Sequence, residues 1–149
     1  MPIEFNTHAR TYLDEAGRLL GQLPITTLER IFSILRGAYR QDRLVIVMGN
    51  GGSAALASHF AVDLGKGTVA GERPRFRVLS IVDNTPVMTA YANDLSYADV
   101  FSEQIITLAR AGDVVFGVTG SGNSPNVLRG LKAARSVGAT TVVLTGYKG

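Results

Sequence analysis

Cysteine is missing from all 149 residues of the sequence, and histidine occurs only twice. Without cysteine no disulfide staples the fold. None is needed, since a chain of this length suits one domain and buries about 70% of the surface its unfolded form exposes. The absence also fits a cytosolic protein. No stretch approaches the roughly 18–20 apolar residues of a membrane-spanning helix. The opening MPIEFNTHARTYLDEAG has no basic segment followed by an apolar one, so a soluble, unprocessed, cytoplasmic protein is expected. Charge of one sign is not gathered either. The net charge of +3 is spread along the chain, and the densest basic run, RPRFR at Arg73–Arg77, reads as a solvated connection, which gives direct nucleic-acid binding little support. Also lacking is any Gly-x-x-x-x-Gly-Lys-Ser/Thr pattern, which weakens a nucleoside-triphosphate reading.

What is present is glycine, 17 residues of it, mostly at the ends of apolar runs, where strands turn into helices. From Phe5 to Leu23 the apolar residues Phe5, Ala9, Tyr12, Ala16, Leu19, Leu20 and Leu23 recur at helical spacing, and Pro24 closes the segment. A second helix is predicted from TTLE, where Thr26 and Glu29 have capping-box spacing and Leu28, Ile31, Phe32, Leu35 and Tyr39 continue one face. Four short, β-branched runs follow: RLVIVMG, FRVLSIVD, DVVFGVTG and TTVVLTG, the type buried on both faces of a parallel sheet. Helical stretches separate them over 53–64, 86–92, 97–110 and 125–137, with Gly138 as the last one's stop. This alternation predicts an α/β fold, a doubly wound parallel sheet sandwich with two leading helices, in a single domain: 1–41 as a helical part and 42–149 as the α/β core. The first helix has an apolar stripe that packs either against another subunit or across the sheet edge of its own.

Two glycine loops stand behind valine-rich runs, VMGNGGSA at 47–54 and VTGSGNSP at 118–125. Ligands of an open parallel sheet collect beyond the carboxyl ends of its strands. Glycine there lets backbone N–H groups approach a ligand closely, and the following helix adds free N–H groups and the positive end of its dipole, so the natural guest is an anion. The second loop adds hydroxyls from Thr119, Ser121 and Ser124, with Ser124 as the expected N-cap before Pro125. Hydroxyls at a helix start without lysine suit a phosphate monoester; ordinary turns and caps are the alternative for each loop. GNGGSA also satisfies the dinucleotide fingerprint. That reading needs an acidic residue at the end of the next strand about 20 residues on, whereas Glu72 lies in a polar connection and the strand ends only at Asp83.

The segments GNGGSAALASHFAVDL, AYANDLSYADVFSEQI, GDVVFGVTGSGNSPNVL and VVLTGYKG, in this order, resemble the sugar isomerase (SIS) domain. Within it they resemble the phosphoheptose isomerase branch and its non-catalytic relative, the DnaA initiator-associating protein. The resemblance implies a flavodoxin-like fold, a homotetramer with its contacts in the helical N-terminal part, and a phosphorylated seven-carbon sugar as ligand. Carried onto this chain, it implies phosphate contacts at Thr119, Gly120, Ser121 and Ser124 and sugar contacts at Asn50, Gly51, Gly52, Ser53, Asn93 and Asp94. An Asn-Asp pair also makes ordinary turns.

The implied chemistry is aldose–ketose isomerisation, sedoheptulose 7-phosphate to D-glycero-D-manno-heptose 7-phosphate, with a carboxylate as base. The family's glutamate in a His-Phe-Ala-x-Glu-Leu segment corresponds to Asp63 of HFAVDL, one methylene shorter. His59 and Asp63, four residues apart on one helix face, match a pair that binds zinc in some phosphoheptose isomerases; a structural pair is the alternative, and the sequence itself requires no cofactor. Gly120 stands where the isomerases usually carry threonine. The family's further strand and C-terminal helix, with a glutamine and a histidine for the site, lie beyond the turn at which this sequence stops, and His8 matches no family role. The reading is therefore an isomerase; the alternative is a non-catalytic phosphosugar-binding or DnaA-binding regulatory protein.

Overall fold

The computed structural model describes residues 4–147, which divide into two compact units, Met1–Phe32 and Ser33–Gly149. In the first, α1 (Phe5–Gly21) buries none of its residues and ends with the Gln22 N–H donating to the Leu19 carbonyl and the Leu23 N–H to that of Leu20. Pro24 lies beyond that end. Its carbonyl accepts from the Thr27 and Leu28 N–H groups and so opens α2 (Ile25–Arg40), which runs on into the second unit. Thr26 is thus inside α2 rather than its cap, because the fixed φ of a proline is preset for a helix start.

The second unit holds β1 (Leu44–Gly49), α3 (Gly52–Val62), a π-helical turn (Asp63–Gly67), β2 (Arg77–Ser80), α4 (Thr85–Asp94), α5 (Ser102–Leu108), β3 (Val114–Thr119), α6 (Pro125–Ser136) and β4 (Thr140–Thr145). All four expected strands form, and they pair in parallel in the order β2-β1-β3-β4. Only β1 and β3 are buried along their length. β2 and β4, expected to be buried on both faces, are largely exposed because each has a neighbour on one side only among the described residues. The helix expected over 97–110 begins at Ser102, since Ser96 accepts from the Ala98 N–H and donates to Asp99, which holds the chain in a turn. Gly138, at φ 82°, ends α6 as expected.

Side chains alternate across the central strands. Ile46, Met48 and Val115 point to one face, where Phe101 and Ile105 of the α5 region and Val127, Leu131 and Ala134 of α6 complete the main core. Phe116 points to the other and meets Phe60 of α3, ring centroids 5.1 Å apart. Each large buried side chain contributes about 1.5–3 kcal/mol. α6 approaches the sheet closely because Gly117 leaves room for Val127 and Leu131, and Gly130 leaves room for Met48. At the amino end of β3, buried Asp113 accepts from the Leu44 N–H at 2.9 Å and the Arg110 N–H at 2.7 Å, tying the starts of the two central strands together.

Candidate phosphosugar site

In the strand order 2-1-3-4 the chain leaves β1 toward one edge and β3 toward the other. The loops after β1 and β3 therefore flank the point where the winding reverses, the place at which such sheets bind ligands. Both glycine loops are those loops. Gly49 and Val118 are partners in register, so the two loops leave the sheet side by side.

Sterics shape the first loop. A Cβ on Gly49 would meet the Ser53 carbonyl oxygen at 2.6 Å, so α3 closes directly over the strand end. Gly51 takes φ 53°, a left-handed conformation that favours glycine. Its carbonyl accepts from the Ala54 and Ala55 N–H groups, and that of Asn50 from the Ser53 N–H. A Cβ on Gly51 or Gly52 would meet nothing within 4 Å, which leaves bare backbone facing open space.

Hydroxyls shape the second. Thr119 is buried, and its Oγ1 lies 3.1 Å from Ser124 Oγ and 3.5 Å from Ser121 Oγ. Ser124 occupies the N-cap position of α6 as expected, yet its hydroxyl makes no capping hydrogen bond and turns to Thr119 instead. Gly122 supplies the left-handed residue, φ 71°, and Ser121 Oγ accepts from the Asn123 N–H. The Gly120 carbonyl accepts from the Gly146 N–H at 3.1 Å, pinning the loop to the turn after β4; a Cβ on Gly120 would meet nothing within 4 Å. Three hydroxyls thus converge at the start of a helix. They can rotate to donate to a phosphate oxygen, in the half of the helix field that favours negative charge.

Asn50, an expected sugar contact, also has partners within the chain. Its side chain pairs with Asn126, one residue into α6, through two reciprocal amide hydrogen bonds of 2.8 Å each, and Tyr97 Oη donates to Asn50 Oδ1 at 3.0 Å. Neither Asn126 nor Tyr97 belongs to the set inferred from the sequence. The available signal was a polar residue directly after a helix-opening proline, where the first turn of a core-packed helix turns inward.

His59 Nε2 and Asp63 Oδ2 lie 3.4 Å apart, with 72% and 67% of their side chains exposed. Asp63 stands where α3 passes into the π-helical turn, a rare geometry that recurs at functional sites. Asn93 Nδ2 donates to Asp94 Oδ1 at the end of α4. Among the described residues no side-chain hydrogen bond joins either pair to the glycine loops. Zinc takes three or four protein ligands, and no group of three His, Asp or Glu side chains able to hold a metal occurs among the described residues. The His59–Asp63 pair alone does not fit the ion. An open cleft of about 770 Å³ lies elsewhere, between α3 and the β2–α4 connection, lined by Ser58, Lys66, Phe76 and Asp83. It contains neither loop, and the position of the loops at the reversal of winding argues for them over the cleft.

A family model described as the SIS domain matches residues 11–146. The chain is 42% identical over 141 residues to a "Probable phosphoheptose isomerase" of Thermoplasma acidophilum, covering 95% of this chain and 77% of that protein. It is 38% identical over 146 residues to the phosphoheptose isomerase of Geobacter sp., covering 98% and 75%. The structure of phosphoheptose isomerase GmhA from Neisseria gonorrhoeae superposes with a TM-score of 0.88 at 29% identity, over 98% of this chain and 77% of that one. A phosphoheptose isomerase from Francisella tularensis, at 22% identity and a TM-score of 0.90 over 99% and 78%, shares the fold. With the strand order, the paired glycine loops and a match over nearly its whole length, the chain belongs to the SIS domain family.

Proposed function

We propose that this protein is a phosphoheptose isomerase, interconverting sedoheptulose 7-phosphate and D-glycero-D-manno-heptose 7-phosphate. The observation that carries the reading is the Thr119–Ser121–Ser124 hydroxyl cluster at the start of α6, set beside the open backbone of Gly51 and Gly52. The cluster and Gly120 take the phosphate. The first loop, with Ser53, takes the sugar, and Asn93 and Asp94 add polar groups for its hydroxyls.

In the reaction a base removes a proton from C1 of the ketose while the C2 oxygen gains one, giving an enediol. Return of a proton to C2 and loss of the C1 hydroxyl proton give the aldose. Atoms and electrons are conserved, so the chemistry calls for no redox cofactor. Asp63 is the base, oriented by His59, and no step is assigned to zinc. A carboxylate gains basicity by leaving water, and Asp63 is exposed in a single chain. A homotetramer that covers it is the working form we infer, supported by the exposed apolar side chains of α1, among them Phe5, Tyr12 and Leu20. A cytoplasmic location accords with a cysteine-free chain in which no described helix is long and apolar enough to cross a membrane.

The test is a coupled assay of aldose formation from sedoheptulose 7-phosphate. Turnover supports the reading, and its absence in protein that still binds the sugar phosphate favours the second one. That second reading, a regulatory protein that binds a phosphosugar or a replication-initiator partner without chemistry, draws on the shortness and exposure of Asp63.

A further inference from the structure

We propose that Asn126, Asn50 and Tyr97 form a clasp that sets the distance between the sugar end and the phosphate end of the site, with Asn126 and Tyr97 as positioning residues acting through Asn50. This rests on the isomerase reading. Asn50 Oδ1 accepts from Asn126 Nδ2 and Tyr97 Oη, which uses both of its lone pairs. One Asn50 N–H goes to Asn126 Oδ1. Asn126 Oδ1 in turn accepts from Asn50 and from the Val127 N–H at 3.0 Å, so it too is saturated. Of the side chain's hydrogen-bonding capacity only the second Asn50 N–H is left over, free to donate to a sugar hydroxyl.

The clasp spans 76 residues of sequence and is built into the fold, since Asn126 is 2% exposed. It also falls where other restraint is scarce. Gly51 and Gly52 have no side chains to pack, so beyond the backbone hydrogen bonds that open α3 these two residues have no side-chain hold of their own. Its anchor is the first turn of α6, the helix whose N-cap, Ser124, belongs to the hydroxyl cluster. A phosphosugar gripped by its phosphate therefore meets the first loop at a separation fixed by the Asn50–Asn126 pair. Tyr97, from the turn before α5, adds a third strut. Misplacement of a reacting carbon by about 1 Å costs on the order of 100-fold in rate, so a looser clasp lowers turnover while phosphate binding persists.

The test compares the full-length wild type with Asn50→Ala, Asn126→Ala, the double variant and Tyr97→Phe. Three measurements are made: isomerisation of sedoheptulose 7-phosphate, the Kd of inorganic phosphate, and amide hydrogen exchange. Each alanine variant is expected to lower kcat by about 10- to 100-fold, and the double variant by no more than the worse single one, because both remove the same clasp. The phosphate Kd stays within about three-fold throughout, and Asn126→Ala speeds exchange at residues 51–53 roughly ten-fold. Multiplying effects of the two alanines would show that Asn50 and Asn126 act independently and would overturn the proposal. So would a fully active Asn126→Ala, or a parallel loss of phosphate affinity. If the alanine variants do not fold, Tyr97→Phe and the isosteric Asn126→Asp carry the same comparison. If the wild type binds phosphate without turning the sugar over, the isomerase reading fails separately, and exchange at 51–53 in Asn126→Ala still decides whether the clasp holds the loop.

Discussion

Asn50 and Asn126 are joined by a pair of reciprocal 2.8 Å amide hydrogen bonds, which tie the loop after β1 to the first turn of α6, directly after the second glycine loop. The shape of the site and its chemistry are separable, and each is open to measurement.

On the proposed reading the hydroxyl cluster binds the phosphate without taking part in bond making. Ser124→Ala and Thr119→Val each remove one neutral donor, worth about 1 kcal/mol. The expected outcome is a KM for the sugar phosphate roughly five-fold higher with kcat nearly unchanged, the pattern of lost uniform binding. Steady-state kinetics read it directly, and a large drop in kcat with KM intact would contradict the assignment.

Gly49 and Gly120 should respond in opposite ways. A methyl group on Gly49 collides with the backbone of Ser53, so Gly49→Ala is expected to cost roughly 1–3 kcal/mol and to displace the first loop. At Gly120 the space is open, so Gly120→Ser fits and offers the phosphate another hydroxyl. Denaturant melts and phosphate calorimetry are expected to show Gly49→Ala destabilised, and Gly120→Ser as stable as the wild type with tighter phosphate binding.

Much of this was legible in the sequence because the signals are local. Four β-branched runs, three of them ending in glycine, marked the strands, and Ser-Pro marked the start of α6. Legibility failed where the decisive partner is distant. Asn126 looks like any helix-start residue until Asn50 arrives 76 residues away, and Asp113 looks like a turn residue until the Leu44 N–H meets it. The burial of β2 and β4 failed for the same reason, since an apolar run does not reveal which strand ends up at an edge. Thr26 shows the local limit: a well-spaced capping box lost to the proline two residues before it.

Asp113 separates stability from function. Asp113→Ala leaves two backbone N–H groups without their acceptor at the end of the sheet away from the loops. It is expected to cost roughly 2–4 kcal/mol, a fall in Tm of about 10 °C for a chain of this size, with kcat of the folded fraction unchanged. Thermal melts and kinetics below the transition check both halves.

Acid should loosen the tie between Asp99 and α6. Hydrogen bonds from the Ser96 hydroxyl and the Arg129 guanidinium hold the Asp99 carboxyl below its ordinary value of 3.8. A carboxyl with a lowered folded-state value contributes stability that is complete above the unfolded value and is lost as pH falls through the folded one. Stability is therefore expected to decline below about pH 3.8, and Asp99→Asn to flatten that part of the curve. Denaturant titrations from pH 5 to pH 2 with both proteins test it.

On the proposed reading Asp63 moves a carbon-bound proton on a sugar held by these two loops. Sedoheptulose 7-phosphate incubated in D2O and followed by proton NMR tests it most directly, because a base that exchanges with solvent labels the aldose at C2. The wild type is expected to form C2-deuterated aldose, and Asp63→Asn to slow its appearance by about 10²- to 10⁴-fold while still binding inorganic phosphate. Aldose formation at the wild-type rate by Asp63→Asn would contradict the account.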